Sequence, residues 1–358
     1  MSERVVVAMS GGVDSSLAAA LLVEQGHEVV GITLALAGDA SRCCSLADAE
    51  DARRVAERLG IRFYVANYRE RFRREVIEAF ADEYLAGRTP IPCVACNQRF
   101  KFHHLMERAA ALGAERVATG HYARLERDPA TGAPRLLRGR DRGKDQSYYL
   151  FDLRPEQLAR IELPLGGLSK PEVRERARAL GLATADKPES QEICFVPDGD
   201  YARVVEALRP DRLPGRGEIV DESGAVLGAH AGIHHFTVGQ RRGLGLAADR
   251  RLYVKRLEPA ANRVVVCDLD GLGVRSVRLE RVSWIAGQPP EEPVRARVQV
   301  RYRHEGAPAS VEPSPPSGAW LRFDEPVRAV APGQAAVFYG GDESDAVLGG
   351  GWIAETEA

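Results

Sequence analysis

No apolar stretch of this 358-residue chain approaches the roughly 18 residues that a membrane span requires. The first residues, Met1 to Ala8, run into an apolar strand with no basic leader and no cleavage-like site, so the expectation is a cytoplasmic protein with no membrane partner. Cysteine is scarce. The six thiols, Cys43, Cys44, Cys93, Cys96, Cys194 and Cys267, are too few for a disulfide scaffold, and clustered ones are read first as chemistry or metal ligands. Net charge is only -2, which lacks the global basicity of many nucleic-acid binders. Lysine is nearly missing, occurring at positions 101, 144, 170, 187 and 255 only. Biased genome composition is the simpler reading of the arginine excess, although arginine also suits bidentate phosphate contact. No internal repeat is present.

The first 120 residues alternate strand and helix patterns, the signature of a parallel sheet covered on both faces. Strands are expected at Arg4 to Ala8, His27 to Leu36, Arg62 to Ala66 and Arg116 to Thr119. Helices are expected at Ser15 to Gln25, Leu46 to Leu59, Tyr68 to Ala86 and near Phe102 to Leu112, with Arg88 to Gln98 as a loop. Ser45 is placed to cap the second helix and Gly60 to stop it. Ser169, Pro171 and Glu172 open a further helix to Leu180. Beyond Tyr201 the segments Gly217 to Val220, Arg251 to Leu257, Arg263 to Asp268, Val294 to Tyr302 and Ala335 to Tyr339 are short, β-branched and punctuated by Gly or Pro. The proline-bearing run Gly306 to Gly318 reads as a hairpin loop or surface excursion. The fold class is therefore α/β: a doubly wound domain at 1–205, followed by β-rich, barrel-like domains at 206–275 and 276–358.

After the first strand comes Ser10-Gly11-Gly12-Val13-Asp14-Ser15-Ser16. Adjacent glycines let backbone N–H groups close on an anion, serine hydroxyls add donors, and the following helix N-terminus contributes partial positive charge. Without Gly-Lys-Ser/Thr this is not the loop of kinases and GTPases. It resembles the pyrophosphatase-type loop of the N-type ATP hydrolases, which split ATP between the α and β phosphates. Ala8, Met9, Ser10, Gly11, Gly12, Val13, Asp14 and Ser15 are the expected ATP-binding residues. Asp14 beside phosphates calls for Mg²⁺ as mediator.

Two further strings carry thiols, Pro92-Cys93-Val94-Ala95-Cys96-Asn97 and Ser190-Gln191-Glu192-Ile193-Cys194-Phe195. Thiolates are strong nucleophiles, and two facing thiols can carry and release sulfur by exchange. Zinc or iron–sulfur ligation competes for the same residues. Adjacent histidines, His103–His104 and His234–His235, project differently on regular elements and are read as surface or core.

Taken with Ala86 to Pro90, Lys101-Phe102, Thr119 to Arg124, Lys144 to Leu150, Val238 to Gly245 and Leu348 to Gly351, these strings resemble the bacterial tRNA-specific 2-thiouridylases nearly end to end. The resemblance implies a tRNA-uridine 2-sulfurtransferase that acts on the wobble uridine of tRNAs for Lys, Glu and Gln, through an adenylated uridine and a cysteine persulfide. It implies ATP, a persulfide donor (a cysteine desulfurase or sulfur-relay protein) and tRNA, not DNA, as partners. Cys96 matches the nucleophile position and Cys194 the persulfide carrier, the two forming a transient disulfide. Leu34 and Gly120 match positions near the nucleotide. Ile91, Pro92, Cys93, His121, Lys144, Asp145, Gln146, Arg301, Tyr302 and Gln334 match positions near tRNA. Many members carry Asn-Pro-Asp where this chain has Ile91-Pro92-Cys93. The additional thiol opens an alternative in which Cys93, Cys96 and Cys194 hold a [4Fe–4S] cluster. Another enzyme class fits the loop alone, a ligase that adenylates a small carboxylate or ureido group.

Overall fold

The computed structural model describes residues 2–36, 45–189, 193–196, 198–247, 249–341 and 344–357. Cys43, Cys44 and the segment 190–192 lie outside the described residues. β1 (Arg4–Ala8), α1 (Val13–Glu24), β2 (Glu28–Ala35), α2 (Leu46–Leu59) and β3 (Arg62–Asn67) follow one another as the alternation predicts. Ser45 and Asp48 form a reciprocal capping box on α2, and Gly60 ends that helix at φ 65°. In β1 the two-residue period sends Val5 and Val7 into the core under α1 and α2, and Val6 into the core on the opposite face.

The single helix expected from Tyr68 to Ala86 forms without interruption over residues 69–85, but it is not α-helical throughout. α3 (Arg69–Phe72) and α4 (Glu78–Leu85) flank a π-helical turn at Arg73–Ile77. The wider turn places Phe72 and Val76 in the sheet's core, while Phe80 and Tyr84 face a separate cluster with Val205. The loop expected from Arg88 to Gln98 is also corrected, because it ends at Ile91. α5 (Pro92–Ala95) opens with proline in its first turn and runs through a π-helical stretch, Cys96–His104, into α6 (Leu105–Ala111). Burial of Phe100 and Phe102 holds this segment against the sheet.

The chain continues with β4 (Arg116–Ala118), the hairpin β5 (Ala123–Arg127) and β6 (Pro134–Arg138), α7 (Pro155–Leu158), β7 (Ile161–Glu162), α8 (Lys170–Ala179) and α9 (Tyr201–Leu208). Ser169 and Glu172 box the start of α8 as expected. The main sheet has the order β3-β2-β1-β4-β7, and every pairing in it is parallel.

A four-stranded sheet follows, from β8 (Gly217–Val220), β9 (Val226–His230), β10 (Tyr253–Glu258) and β11 (Arg263–Cys267), closed over Ile219, Ile233, Val254 and Val264. The remaining strands, β12 (Gly273–Trp284), β13 (Val294–Gln299), β14 (Ala307–Ser314), β15 (Gly318–Arg328), β16 (Ala335–Tyr339) and β17 (Val347–Glu357), close a barrel in the order β12-β15-β14-β13-β16-β17. The proline-bearing run at 306–318 is mostly strand, and only the link between β14 and β15 turns. The barrel is strapped to the loop before α5: Thr89 N–H donates to Pro332 O at 2.8 Å, Gln334 Nε2 donates to Thr89 O at 2.9 Å, and Arg88 pairs with Glu280 at 2.8 Å. No helix among the described residues is long and apolar enough to cross a membrane.

Candidate active site

The chain order reverses between β1 and β4, and in open α/β sheets ligands bind at such a point, beyond the carboxyl ends of the strands. The loop from β1 to α1 occupies it. Ser10 N–H donates to Ser15 Oγ at 3.0 Å, and Ser16 Oγ donates to Gly12 O at 2.9 Å, so the loop is closed on itself before any ligand arrives. Gly11 has φ 72°, and a Cβ there would sit 2.1 Å from Asp48 O, so no other residue fits against α2. Gly120 presses on the loop from β4, where a Cβ would stand 2.7 Å from Ser15 N.

Charge in the crevice is organised by lysines. Lys170 Nζ lies 2.8 Å from both oxygens of Asp14 and 2.8 Å from Glu189 Oε1, and Tyr122 donates to Asp14 Oδ1 at 2.7 Å. Lys144 holds the other Glu189 oxygen at 2.6 Å. Burial alone would raise the Glu189 carboxyl, but the bonds from Lys144 and Lys170 outweigh it and hold the group at about 2. Lys187 reaches Gly11 O at 3.1 Å, Asp48 at 2.7 Å and Asp51 at 2.6 Å, tying α2 to the loop. The Asp48 carboxyl is driven up by burial but ends below the usual range, because Lys187 and Ser45 bond to it.

Asp14, Asp48, Tyr122, Glu189 and the three lysines line one cavity of about 1290 Å³ whose far wall is the barrel. One side of it is made by Ala8 to Ser10, Gly12 to Ser15, Leu34 and Gly120. Facing it are Pro92, Cys93 and Cys96 from α5 and the start of the π-helical stretch, with Cys194 and Phe195. Cys93, Cys96, Cys194 and the distant Cys267 are not disulfide-bonded. His121, Lys144, Asp145, Gln146 and Tyr302 complete the wall. Tyr302 packs against Tyr149 with ring centroids 4.6 Å apart.

Several expected residues have structural work. His121 is buried, with Nδ1 2.7 Å from Thr119 Oγ1, and burial followed by the charge of Lys101 holds its pKa well below the usual imidazole value. It is a neutral group, not a phosphate-pairing cation. Asp145 accepts from Gly139 N, Ser147 N, Ser147 Oγ and Arg138, so its carboxylate is spent within the fold. Gln146 is bonded to Tyr122 through both its backbone and its side chain. Gly11, Ile91, Arg301 and Gln334 do not line the cavity. Ile91 ends the loop before α5, and Arg301 donates to Arg328 O at 3.2 Å on the outside.

Asp14, Asp48 and Glu189, the carboxylates around the loop, are each bonded to a lysine. Mg²⁺ takes one or two carboxylates together with the phosphates of its nucleotide, and Asp14, 31% exposed at the cavity wall, is the carboxylate that would hold it there. Cys93, Cys96 and Cys194 are not among the described groups whose ligand atoms converge within 4.8 Å, so they are not arranged around a single zinc ion.

Comparison with known proteins agrees with this layout. A family model described as the tRNA methyl transferase HUP domain matches residues 3–198, a tRNA methyl transferase PRC-barrel domain matches 206–268, and an aminomethyltransferase beta-barrel domain matches 274–353. The tRNA-specific 2-thiouridylase MnmA of Geobacter metallireducens is 52% identical over 364 residues, covering 98% of this chain and 96% of the relative. That of Rhodospirillum rubrum is 53% identical over 363 residues, with the same coverage. The chain belongs to the tRNA-specific 2-thiouridylase family. Among solved structures, a 4-thiouridine synthetase–RNA complex with bound ATP matches 59% of this chain and 51% of its own at 19% identity and a TM-score of 0.37, too distant to bear on a thiouridylase site.

Lys144 was expected near tRNA, but sequence reasoning missed Lys170 and Lys187 and the network that the cavity lysines form. Lys101, Lys144, Lys170 and Lys187 all line the cavity, and only Lys255 lies elsewhere, paired with Glu222. A signal was available. In a chain whose basic residues are otherwise arginines, retained lysines mark places where a compact ammonium fits and a planar guanidinium does not.

Proposed function

We propose that this chain is a tRNA-uridine 2-sulfurtransferase working in the cytoplasm on the wobble uridine of tRNAs for Lys, Glu and Gln. One observation carries the reading: the phosphate loop and the thiols Cys93, Cys96 and Cys194 line a single cavity that the barrel closes. Phosphate chemistry and sulfur chemistry therefore share one substrate. Uridine O2 attacks the α-phosphate of ATP, and pyrophosphate departs against the Ser10 to Ser15 loop and the helix N-terminus behind it. The base is then O-adenylated at a position where AMP can leave. The terminal sulfur of a persulfide on Cys194 adds to C2, and AMP carries off the original oxygen. Cys96 attacks the inner sulfur, leaving the terminal sulfur on C2 and forming a Cys96–Cys194 disulfide. In the variant order Cys96 attacks first and releases hydrosulfide, which then adds to C2. Either route ends with one disulfide that a thiol reductant must open.

The base reaches this depth only when it is turned out of the anticodon stack, as base-modifying enzymes generally require. Arg297, Arg303 and Tyr302 on the barrel side of the cavity offer phosphate pairing and stacking for the displaced nucleotide. A ligase acting on a small carboxylate would use the loop but leave Cys96, Cys194 and the barrel wall idle. The test is nucleoside mass spectrometry of tRNA incubated with the protein, ATP, Mg²⁺ and a persulfide donor. Appearance of 2-thiouridine supports the reading. Pyrophosphate release driven by a small carboxylate without RNA would replace it with the ligase.

A further inference from the structure

Away from the cavity, the end of α9 meets the short 3₁₀ turn Ile233–His235 that follows β9. Adjacent histidines on a regular strand or helix would diverge, but this turn brings both imidazoles to one side, with ring centroids 4.2 Å apart. Both Nε2 atoms address the same carboxylate oxygen: Glu206 Oε1 lies 3.3 Å from His234 Nε2 and 3.4 Å from His235 Nε2. The three ligand atoms lie within 4.8 Å of one another.

These distances are longer than the usual N–H···O separation of about 2.9–3.0 Å. They equal the edge of a tetrahedron, since metal–ligand bonds of about 2.0–2.1 Å put neighbouring ligand atoms about 3.3–3.4 Å apart. A cation placed between the two imidazole nitrogens and the carboxylate oxygen would accept a lone pair from each of the three. His234 is 3% exposed, whereas His235 and Glu206 are 36% and 41% exposed, so the site has a buried floor and one side open to solvent.

We propose that Glu206, His234 and His235 form a binding site for a divalent cation of the zinc class, with two imidazole nitrogens, one carboxylate oxygen and a solvent molecule in the fourth position. The ion joins α9 to the four-stranded sheet and stands apart from the sulfur chemistry. No electron or group transfer is involved.

The experiment is titration of the chelator-treated full-length protein with Co²⁺, followed by visible absorption. The expected result is one equivalent showing d–d bands of a tetrahedral nitrogen and oxygen site, without thiolate charge-transfer absorption, and a rise in Tm on binding. His235→Ala and Glu206→Gln should each weaken that equivalent by at least about tenfold while thiolation with excess persulfide donor is retained. His103→Ala should leave it unchanged, which separates this site from the group of His103, His104 and Glu107, in which His104 is buried. If His235→Ala folds with the parent's circular dichroism and takes up Co²⁺ with the parent's affinity and spectrum, the proposal is wrong. A spectrum with thiolate bands only overturns it equally.

Discussion

Replacing Lys170 by methionine keeps the length and apolar stem of the side chain and removes only the ammonium that Asp14 and Glu189 share. Burial pushes the Glu189 carboxyl up, yet Lys144 and Lys170 bring it to about 2 instead of 4.5, a net displacement equivalent to about 3 kcal/mol. Losing one of the two donors therefore removes at least about 1.5 kcal/mol. Asp14 loses the ammonium on both oxygens and keeps only the Tyr122 hydroxyl on Oδ1; its side chain is 31% exposed, so solvent screens part of that loss, and about 1 kcal/mol more is expected. The total of about 2–3 kcal/mol should lower Tm by roughly 4–10 °C for a unit of this size. The pH dependence has a definite sign. A carboxyl lowered in the folded state stabilises fully above its unfolded value, near 4.5, and that contribution is lost as pH falls through about 2. Lys170→Met should therefore unfold at lower temperature at pH 7 and lose less additional stability between pH 4.5 and 2 than the parent does. Calorimetry at both ends of that window measures it. A variant Tm within about 1 °C of the parent at pH 7, with an unchanged acid limb, refutes the shared-ammonium argument.

Gly120→Ala would force a methyl to 2.7 Å from Ser15 N, so the loop must shift; tRNA-dependent pyrophosphate release should fall sharply, with about 1–3 kcal/mol of destabilisation by urea titration. Cys96→Ser and Cys194→Ser should each abolish thiolation by a persulfide-loaded donor, whereas Cys93→Ser should retain it; loss of activity in Cys93→Ser together with stoichiometric iron in the anaerobically prepared parent would instead assign the three thiols to a cluster. Arg301→Ala should weaken tRNA binding and reduce the salt slope by about one phosphate, measured by filter binding across ionic strength. Asp14→Ala should stop adenylation while leaving much tRNA affinity, and equal turnover at saturating ATP would remove Asp14 from the loop's chemistry.

The elements legible in the sequence are those whose signals are local. The Ser45 cap, the Gly60 stop and the Ser169–Glu172 box depend on neighbours a few residues away, and all three stand as read. Strands β8 and β16 stand with the bounds read from their β-branched runs. What failed was register. The π-helical turns at Arg73–Ile77 and Cys96–His104 depend on how Phe72, Phe100 and Phe102 meet a distant sheet, and no periodicity in the segment itself encodes them. The loop and the thiols were legible because each is a contiguous string. The lysine network was not, because Asp14, Lys170 and Glu189 come together only when the sheet closes.

The strap between the barrel and the loop before α5 has a mechanical consequence. Pro332 and Gln334 grip Thr89 through both its N–H and its carbonyl, and only Pro90 and Ile91 separate that grip from the helix bearing Cys93 and Cys96. The barrel thus anchors the start of α5 through two bonds to a single residue, and a chain truncated before β12 would lose both of them.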